Sequence, residues 1–508
     1  MRYLHPLAAR VDGSADLLGA KAHGLLVLRR LGLPVPPGFV IDTSACRAFL
    51  RSGRFPDGLD AELATAVRSL EATTGRRFGG RERPLAVSVR SGAAVSMPGM
   101  MNTVLNLGLT TEATAGLAAE TADPAFATAA GVATDDTDDA MSHLRAAVRA
   151  VFSSWNTPRA TTYRELHDIP HDLGTAVIVQ AMVFGNRDRR SGAGVAFSRD
   201  PNTGENLPYG DVLFGRQGED VVSGESATRP LTELADRAPT VWADLRAALH
   251  RIEQHYGDAC HVEFTFEAGH LWLLQVRPGG LTGRAAIRVA VDLADEHLID
   301  RPTALRRISA HHLRLAHTPR IRTGDEFEVF TRGRSASPGV ATGRIAVTAD
   351  RAARMAADGP VILVRPTTSP LDMHGLAAAT GIVTSRGGPT SHAAIVARAM
   401  GKPAVVDATA LTVDTVARSV EAGDRVLDEG TIITLDGASG DIVIGSPGTV
   451  TPTTDQHLDR LLGWADAISG DHSPRPDEQR LSDAHARLVP PAGIEPATSA
   501  LGTPRSFR

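Results

Sequence analysis

The stretch from Thr384 to Gly401, Thr-Ser-Arg-Gly-Gly-Pro-Thr-Ser-His-Ala-Ala-Ile-Val-Ala-Arg-Ala-Met-Gly, leaves the backbone few choices. Gly387, Gly388 and Pro389 stop the preceding run Gly381-Ile382-Val383-Thr384, and Thr390 or Ser391 can cap a helix begun after them. Ala393 through Met400 favour that helix, Gly401 suits its left-handed end, and Pro403 prevents it from continuing. The pattern predicts a short helix that opens at His392. Unpaired N–H groups and the positive dipole end would face a phosphate carried on the imidazole, and Arg386 could add a charge-assisted contact. His392 is therefore the candidate catalytic residue, a carrier of a phosphoryl group. For a Thr-Ser-His string taken alone, the alternative is a capped surface helix that happens to include a histidine.

Composition limits what surrounds this element. A chain of 508 residues with 42% hydrophobic content should hold roughly two to four domains with ordinary buried cores. Its net charge of -5 and the lack of a long basic block give no electrostatic case for nucleic acid. Cys46 and Cys260 are too few for a disulfide framework and lack metal-ligand spacing, which suits buried thiols in a reducing cytoplasm. The start, Met1-Arg2-Tyr3-Leu4-His5-Pro6, has no apolar signal core, and no stretch approaches the roughly 20 apolar residues that span a bilayer. A cytoplasmic location and no membrane partner are the expectation.

Along the chain, Leu17 to Leu28 reads as a turn feeding an amphipathic helix that ends near Gly32. Lys21 then sits at the helix opening, where the dipole disfavours a cation unless an anionic ligand is present; solvated chance is the alternative. Leu85 to Met101 reads as a strand running into a glycine-rich loop, with Arg90 at the strand end suited to phosphate and a plain surface loop as the alternative. Residues 110 to 150, which include Asp135-Asp136 and Asp138-Asp139, read as helices and a charged connection rather than a metal cluster. Apolar strands are expected at Ala176–Gly185 and Ser191–Arg199. The run His261 to Arg277 alternates as a hairpin. If its loop is the three residues Ala268-Gly269-His270, Glu263 lies opposite Gln275 and His261 opposite Arg277, all on one face. A carboxylate, an amide and a guanidinium there suit Mg²⁺ and a polyphosphate, against the alternative of ordinary polar pairs.

Residues 285 to 334 read as an Arg- and His-rich helical linker, in which the adjacent His311 and His312 point apart and are a poor metal pair. A mixed α/β unit is expected from 335 to 450, and a polar, disordered tail from 451 to 508 with one short helical pattern near Leu458 to Ile468.

The run Gly-Gly-Pro-Thr-Ser-His-Ala-Ala-Ile-Val-Ala-Arg-Ala-Met-Gly-Lys-Pro-Ala-Val resembles the phosphohistidine signature of the pyruvate phosphate dikinase and phosphoenolpyruvate synthase group. After the shared Val-Arg-Ser, Gly-Ala-Ala-Val-Ser-Met-Pro-Gly-Met-Met is closer to the nucleotide-binding domain of the dikinases. The resemblance covers roughly residues 10 to 450, and nothing after them matches the family's phosphoenolpyruvate and pyruvate barrel. It implies α/β and α+β multidomain architecture, with an ATP-grasp nucleotide-binding domain over 1–284 and a swivelling phosphohistidine domain over 335–450. It also implies that ATP phosphates meet Lys21, Arg90 and Arg277, that Glu263 and Gln275 hold Mg²⁺, and that backbone near Met182 walls the adenine pocket. The expected activity is ATP- and phosphate-dependent phosphorylation of His392, giving AMP and pyrophosphate, with transfer to pyruvate needing a barrel on a separate chain. Three departures stand out: His261 replaces the usual aspartate before Glu263, Ala20 replaces a common glycine, and the stretch between Arg90 and His261 is shorter than in typical members. Two alternatives stay open: a related phosphotransferase with another acceptor, against which the Met-Pro-Gly-Met-Met loop argues, and a catalytically weak nucleotide-binding regulatory protein, favoured by His261 and the unmatched barrel.

Overall fold

The fold is described by a computed structural model of residues 3–488, excepting 12, 96, 98–99, 132–138, 167, 224–227, 282, 323–326 and 452–454. The expected Pro98-Gly99 loop tip, the Asp135-Asp136 run and the end of the tail lie outside the described residues. The chain divides into two compact units, one built from 1–191 with 264–276 and the other from 192–263 with 277–496.

The first unit is a sheet backed by helices. Its strands are β1 (Leu4–Pro6), β2 (Gly38–Ile41), β3 (Val87–Gly92), β4 (Thr103–Leu107) and β5 (Ala176–Ala181), in the order β1-β2-β5-β3-β4 and all antiparallel. Alternation places Phe39, Ile41, Val87, Val89, Val177 and Val179 on one face, where they meet α2 (Leu59–Thr74) and α3 (Ala140–Ser154) in one apolar cluster. Asp139 caps α3 by accepting from the N–H groups of Met141 and Ser142, so this part of the acidic run is a helix start. The amphipathic helix expected after Leu18 is α1 (Ala20–Arg30).

The second unit begins with β6 (Gly192–Phe197) and β7 (Tyr209–Phe214), paired antiparallel from Gly192↔Phe214 to Phe197↔Tyr209. The expected hairpin is β8 (Cys260–Glu267) and β9 (His270–Pro278), and the division between the units passes through it. Its loop is two residues, not three: Ala268 (φ 51) and Gly269 (φ 83) both take left-handed backbone, and His270 already belongs to β9. Two positive φ angles match a tight hairpin turn. The opposition of Glu263 with Gln275 rested on the longer loop and loses that basis.

Helices α4 (Gly283–Asp295), α5 (Arg301–Arg307) and α6 (Ala310–Ala316) form the expected helical stretch. His312 closes a capping box with Ser309, which gives it a structural task. Beyond them lies an eight-stranded sheet made of β10 (Val329–Arg332), β11 (Arg334–Ser337), β12 (Val340–Ala346), β13 (Val361–Arg365), β14 (Gly381–Thr384), β15 (Ala404–Val406), β16 (Ile432–Asp436) and β17 (Asp441–Ile444). Its order is β10-β17-β16-β12-β13-β14-β15-β11, with β12 to β15 parallel and mostly buried. The helix α7 (His392–Met400) joins β14 to β15 and packs Ala393, Ala394 and Ala397 against this sheet.

The tail keeps the helical pattern expected near Leu458 to Ile468 but departs from the disorder expected around it. Residues 456–488 form α8 (Gln456–Ser469) and α9 (Asp477–Leu488), whose Leu458, Leu461, Leu462, Trp464 and Leu481 share a buried cluster with Ile287, Val291, Leu305 and Leu313 of α4 to α6. Polar composition hid two amphipathic faces that become stable only against a partner surface.

Candidate active site

The loop before α7 is held at both ends. Ser385 and Arg386 donate their N–H groups to the carbonyls of Arg365 and Pro366, and Gly387 takes φ 93, which a side chain would strain. Gly388 has a different reason to be glycine: a Cβ there would lie 2.5 Å from Asp211 Oδ2 and 2.6 Å from Thr228 Oγ1. The loop therefore presses its backbone onto β7. Thr390 completes the contact by donating its N–H and O–H to Asp211 Oδ2 at 3.1 and 2.7 Å. Thr228 Oγ1 and Arg334 Nη1 donate to Oδ1 of the same carboxylate at 3.2 and 2.8 Å. Asp211 and Thr390 are both fully buried, so four donors compensate one desolvated charge.

These contacts correct one expectation about the helix start. Ser391 occupies the N-cap position, but neither its side chain nor that of Thr390 caps α7, because Thr390 is engaged by Asp211 and Ser391 Oγ is buried without a partner. The first-turn N–H groups keep the orphan character that favours an anion. The other end is as expected, with Gly401 left-handed at φ 64.

His392 is half-buried at this start, with its Nδ1 3.3 Å from Thr368 Oγ1. Burial lowers its pKa below the ordinary histidine value, and the nearby Asp372 carboxylate opposes that shift in part. The neutral ring is thus favoured at neutral pH. With a proton on Nδ1 donated to Thr368, the lone pair on Nε2 is available as a nucleophile. Arg386, expected to help hold a phosphate, is exposed.

Six residues further along α7, Arg398 is buried and donates to the carbonyls of Ala336 and Pro389 at 2.7 Å each. Burial lowers its pKa to about 10, and its guanidinium lies 5.5 Å from the Phe197 ring centre. His261 stacks on the same ring at 4.7 Å. Its Nε2 is buried without a partner, and desolvation, then Arg277, bring its pKa to about 4 against the pull of Glu263. Sequence reading missed Asp211, Thr228, Arg334 and Phe197. The available signal was Asp211 itself, an acidic residue within the apolar alternation Tyr209-Gly210-Asp211-Val212-Leu213.

In the first unit, Lys21 and Arg90 come to one end of the sheet. Gly19 (φ 79) caps α1 so close to β3 that a Cβ would lie 1.7 Å from the Gly92 carbonyl oxygen, and Ala20 N–H bonds the Ala93 carbonyl at 3.0 Å. Lys21 therefore opens its helix beside the end of β3 that carries Arg90. Arg90 donates to Gln180 Oε1 and to the Leu274 carbonyl, and Gln275 is buried on β9. A cavity of about 320 Å³ lies under Ala181 to Phe184, walled also by Pro36, Arg187, Glu267 and Trp272. There the Met182 N–H is taken by the Ala86 carbonyl and the Phe184 N–H by Glu267.

For the expected Mg²⁺, Glu263 supplies one half-buried carboxylate on β8, and Gln275 one amide oxygen on β9. His261 supplies only a buried nitrogen, and the described residues contain no cluster of three or more His, Cys, Asp or Glu that could hold a metal. A carboxylate and an amide oxygen are the donor types that suit Mg²⁺.

The family model for the pyruvate phosphate dikinase AMP/ATP-binding domain matches residues 50–231, and that for the PEP-utilising enzyme mobile domain matches residues 357–440. Pyruvate, phosphate dikinase of Rhizobium meliloti (strain 1021) is 39% identical, covering 91% of this chain and 60% of the relative's own length. Pyruvate, phosphate dikinase 2 of Zea mays is 38% identical over 89% of this chain and 58% of its own length. That of Rickettsia conorii is 38% identical over 90% and 60%. The chain thus spans somewhat over half the length of the relatives it matches. With an AMP/ATP-binding domain followed by a mobile domain, it belongs to the pyruvate phosphate dikinase group of PEP-utilising enzymes.

Proposed function

We propose that this chain performs the ATP half of a pyruvate phosphate dikinase-type reaction, with His392 as the phosphoryl carrier. The observation that carries the reading is His392 at the opening of α7, its Nδ1 engaged by Thr368 and its pKa lowered by burial. In that arrangement the neutral Nε2 attacks the β-phosphorus of ATP. The bond to the α-phosphate oxygen breaks, AMP leaves, and the γ-phosphoryl passes to inorganic phosphate as pyrophosphate. Lys21, Arg90 and Arg277 bind and orient the phosphates, while Glu263 and Gln275 hold Mg²⁺. That ion, when bound, neutralises charge developing on the phosphoryl oxygens. Transfer onward to pyruvate, forming phosphoenolpyruvate, takes place at a barrel domain outside residues 1–450. Either a relative acting on another acceptor or a nucleotide-binding regulatory protein would keep the ATP site, and His261 beside Glu263 favours the latter as the second reading.

The test is acid-labile labelling from β-labelled ATP. Wild type should take up label at up to one per chain, while His392→Ala should take up none and still bind ATP. Labelling that persists in His392→Ala would move the carrier elsewhere, and absence of labelling in wild type with ATP binding intact would favour the regulatory reading.

A further inference from the structure

We infer that the first unit contains a second ligand site, a pocket for a small organic carboxylate with a compact apolar body, anchored by Arg29. A cavity of about 410 Å³ lies among β1, β2 and α2. Leu4, Leu7, Phe39 and Leu70 give it apolar walls, and Arg29 is the cation that lines it. This volume is in the range of sites that enclose small ligands.

His5 Nε2 and the Thr73 hydroxyl, polar groups of the walls, are otherwise occupied. His5 Nε2 pairs with Asp42 Oδ2 at 3.0 Å, and the Ser69 carbonyl accepts from the Thr73 hydroxyl at 2.8 Å. Arg29 differs. Its Nε is buried without a hydrogen-bond partner, and no carboxylate pairs with its guanidinium among the described residues. Burial lowers its pKa, and no neighbouring charge offsets the effect. Its neighbour Arg30, by contrast, is exposed and donates to the Val11 carbonyl at 2.9 Å. Arg29 sits in the last turn of α1, where the helix dipole favours a cation; this accounts for the charge but not for a buried N–H without an acceptor.

The missing partner is defined by these surroundings. A planar fork of N–H donors matches a carboxylate, and the apolar walls match a short hydrocarbon or aromatic body. A strongly hydrated inorganic anion would satisfy Arg29 but leave the walls unfilled. Pro37 and Thr73 line both this cavity and the one beneath Met182, so the bound acid would lie against the back of the candidate nucleotide pocket. The inference concerns residues not used by the His392 chemistry, and its failure would leave that reading untouched.

Calorimetric titration of the full chain with benzoate, benzyl alcohol and acetate tests it, with a saturating non-hydrolysable ATP analogue present to block the nucleotide pocket. Benzoate should bind at least tenfold more tightly than either of the others, and Arg29→Gln should reduce its affinity at least tenfold. Equal affinity for benzoate and benzyl alcohol, or unchanged benzoate affinity in folded Arg29→Gln, would overturn the inference. Should that variant not fold, wild type with isotope-labelled leucine methyls decides: benzoate must shift the signals of Leu4, Leu7 and Leu70, and shifts confined to other leucines would overturn it.

Discussion

At the scale of single residues, the proposed chemistry rests on how His392 is held. Thr368 gives Nδ1 a partner, so Thr368→Val should slow phosphohistidine formation by up to about tenfold, the worth of one hydrogen bond. Thr368→Ser should retain most of the rate, and phosphorus NMR of the labelled protein should show Nε2 phosphorylation in wild type with Nδ1 product appearing in Thr368→Val. Burial sets the pH response. Because the folded pKa lies below the ordinary value of about 6.5, His392 stays neutral as pH falls to that point, and labelling should decline only below it. Stability has the same sign: under about pH 6.5 the unfolded chain takes up a proton that the folded site resists, so this residue's contribution falls with pH. A stopped-time labelling series from pH 8 to pH 5 checks the first point, since a decline centred above 6.5 contradicts it. His392 was legible because its neighbours punctuate the backbone so strongly. Thr368 was not, since 24 residues separate it from the histidine.

At the scale of elements, the loop Gly387–Thr390 is shaped by two different demands. Gly387 is required by its own backbone angle, whereas Gly388 is required by the carboxylate of Asp211 on β7. Gly388→Ala should therefore leave α7 formed but displace the loop from β7, seen as loss of labelling without loss of helix signal in circular dichroism. Unchanged labelling would show that the contact with Asp211 is dispensable. Asp211→Ala is more severe, because Arg334 and the Thr390 N–H would lose a buried acceptor; about 3–5 kcal/mol of stability should be lost in denaturant unfolding. The hairpin teaches the complementary lesson. Its strands were visible as alternation, yet its pairing was not, because a loop of two or three residues changes every opposition by one.

At the scale of the whole molecule, the helices α8 and α9 belong to the fold rather than to a tail. Truncation after residue 454 should expose Ile287, Val291, Leu305 and Leu313, lowering the melting temperature and raising aggregation, since each large buried aliphatic residue contributes roughly 1.5–3 kcal/mol. An unchanged melt would mean that the cluster is ornamental. What the sequence determined by itself was local: where strands stop, where α7 begins and ends, and the family to which the motifs belong. Those properties depend on backbone torsions, dipoles and short-range periodicity, all of which are written in neighbouring residues. The tertiary structure alone decided that Asp211 receives Thr390 across 179 residues, that His261 is buried against Phe197, and that polar-looking segments after 455 hide an apolar face. Such outcomes arise from burial and from donors meeting acceptors across space, and a charge or a hydroxyl shows its partner only when distant segments are brought into contact.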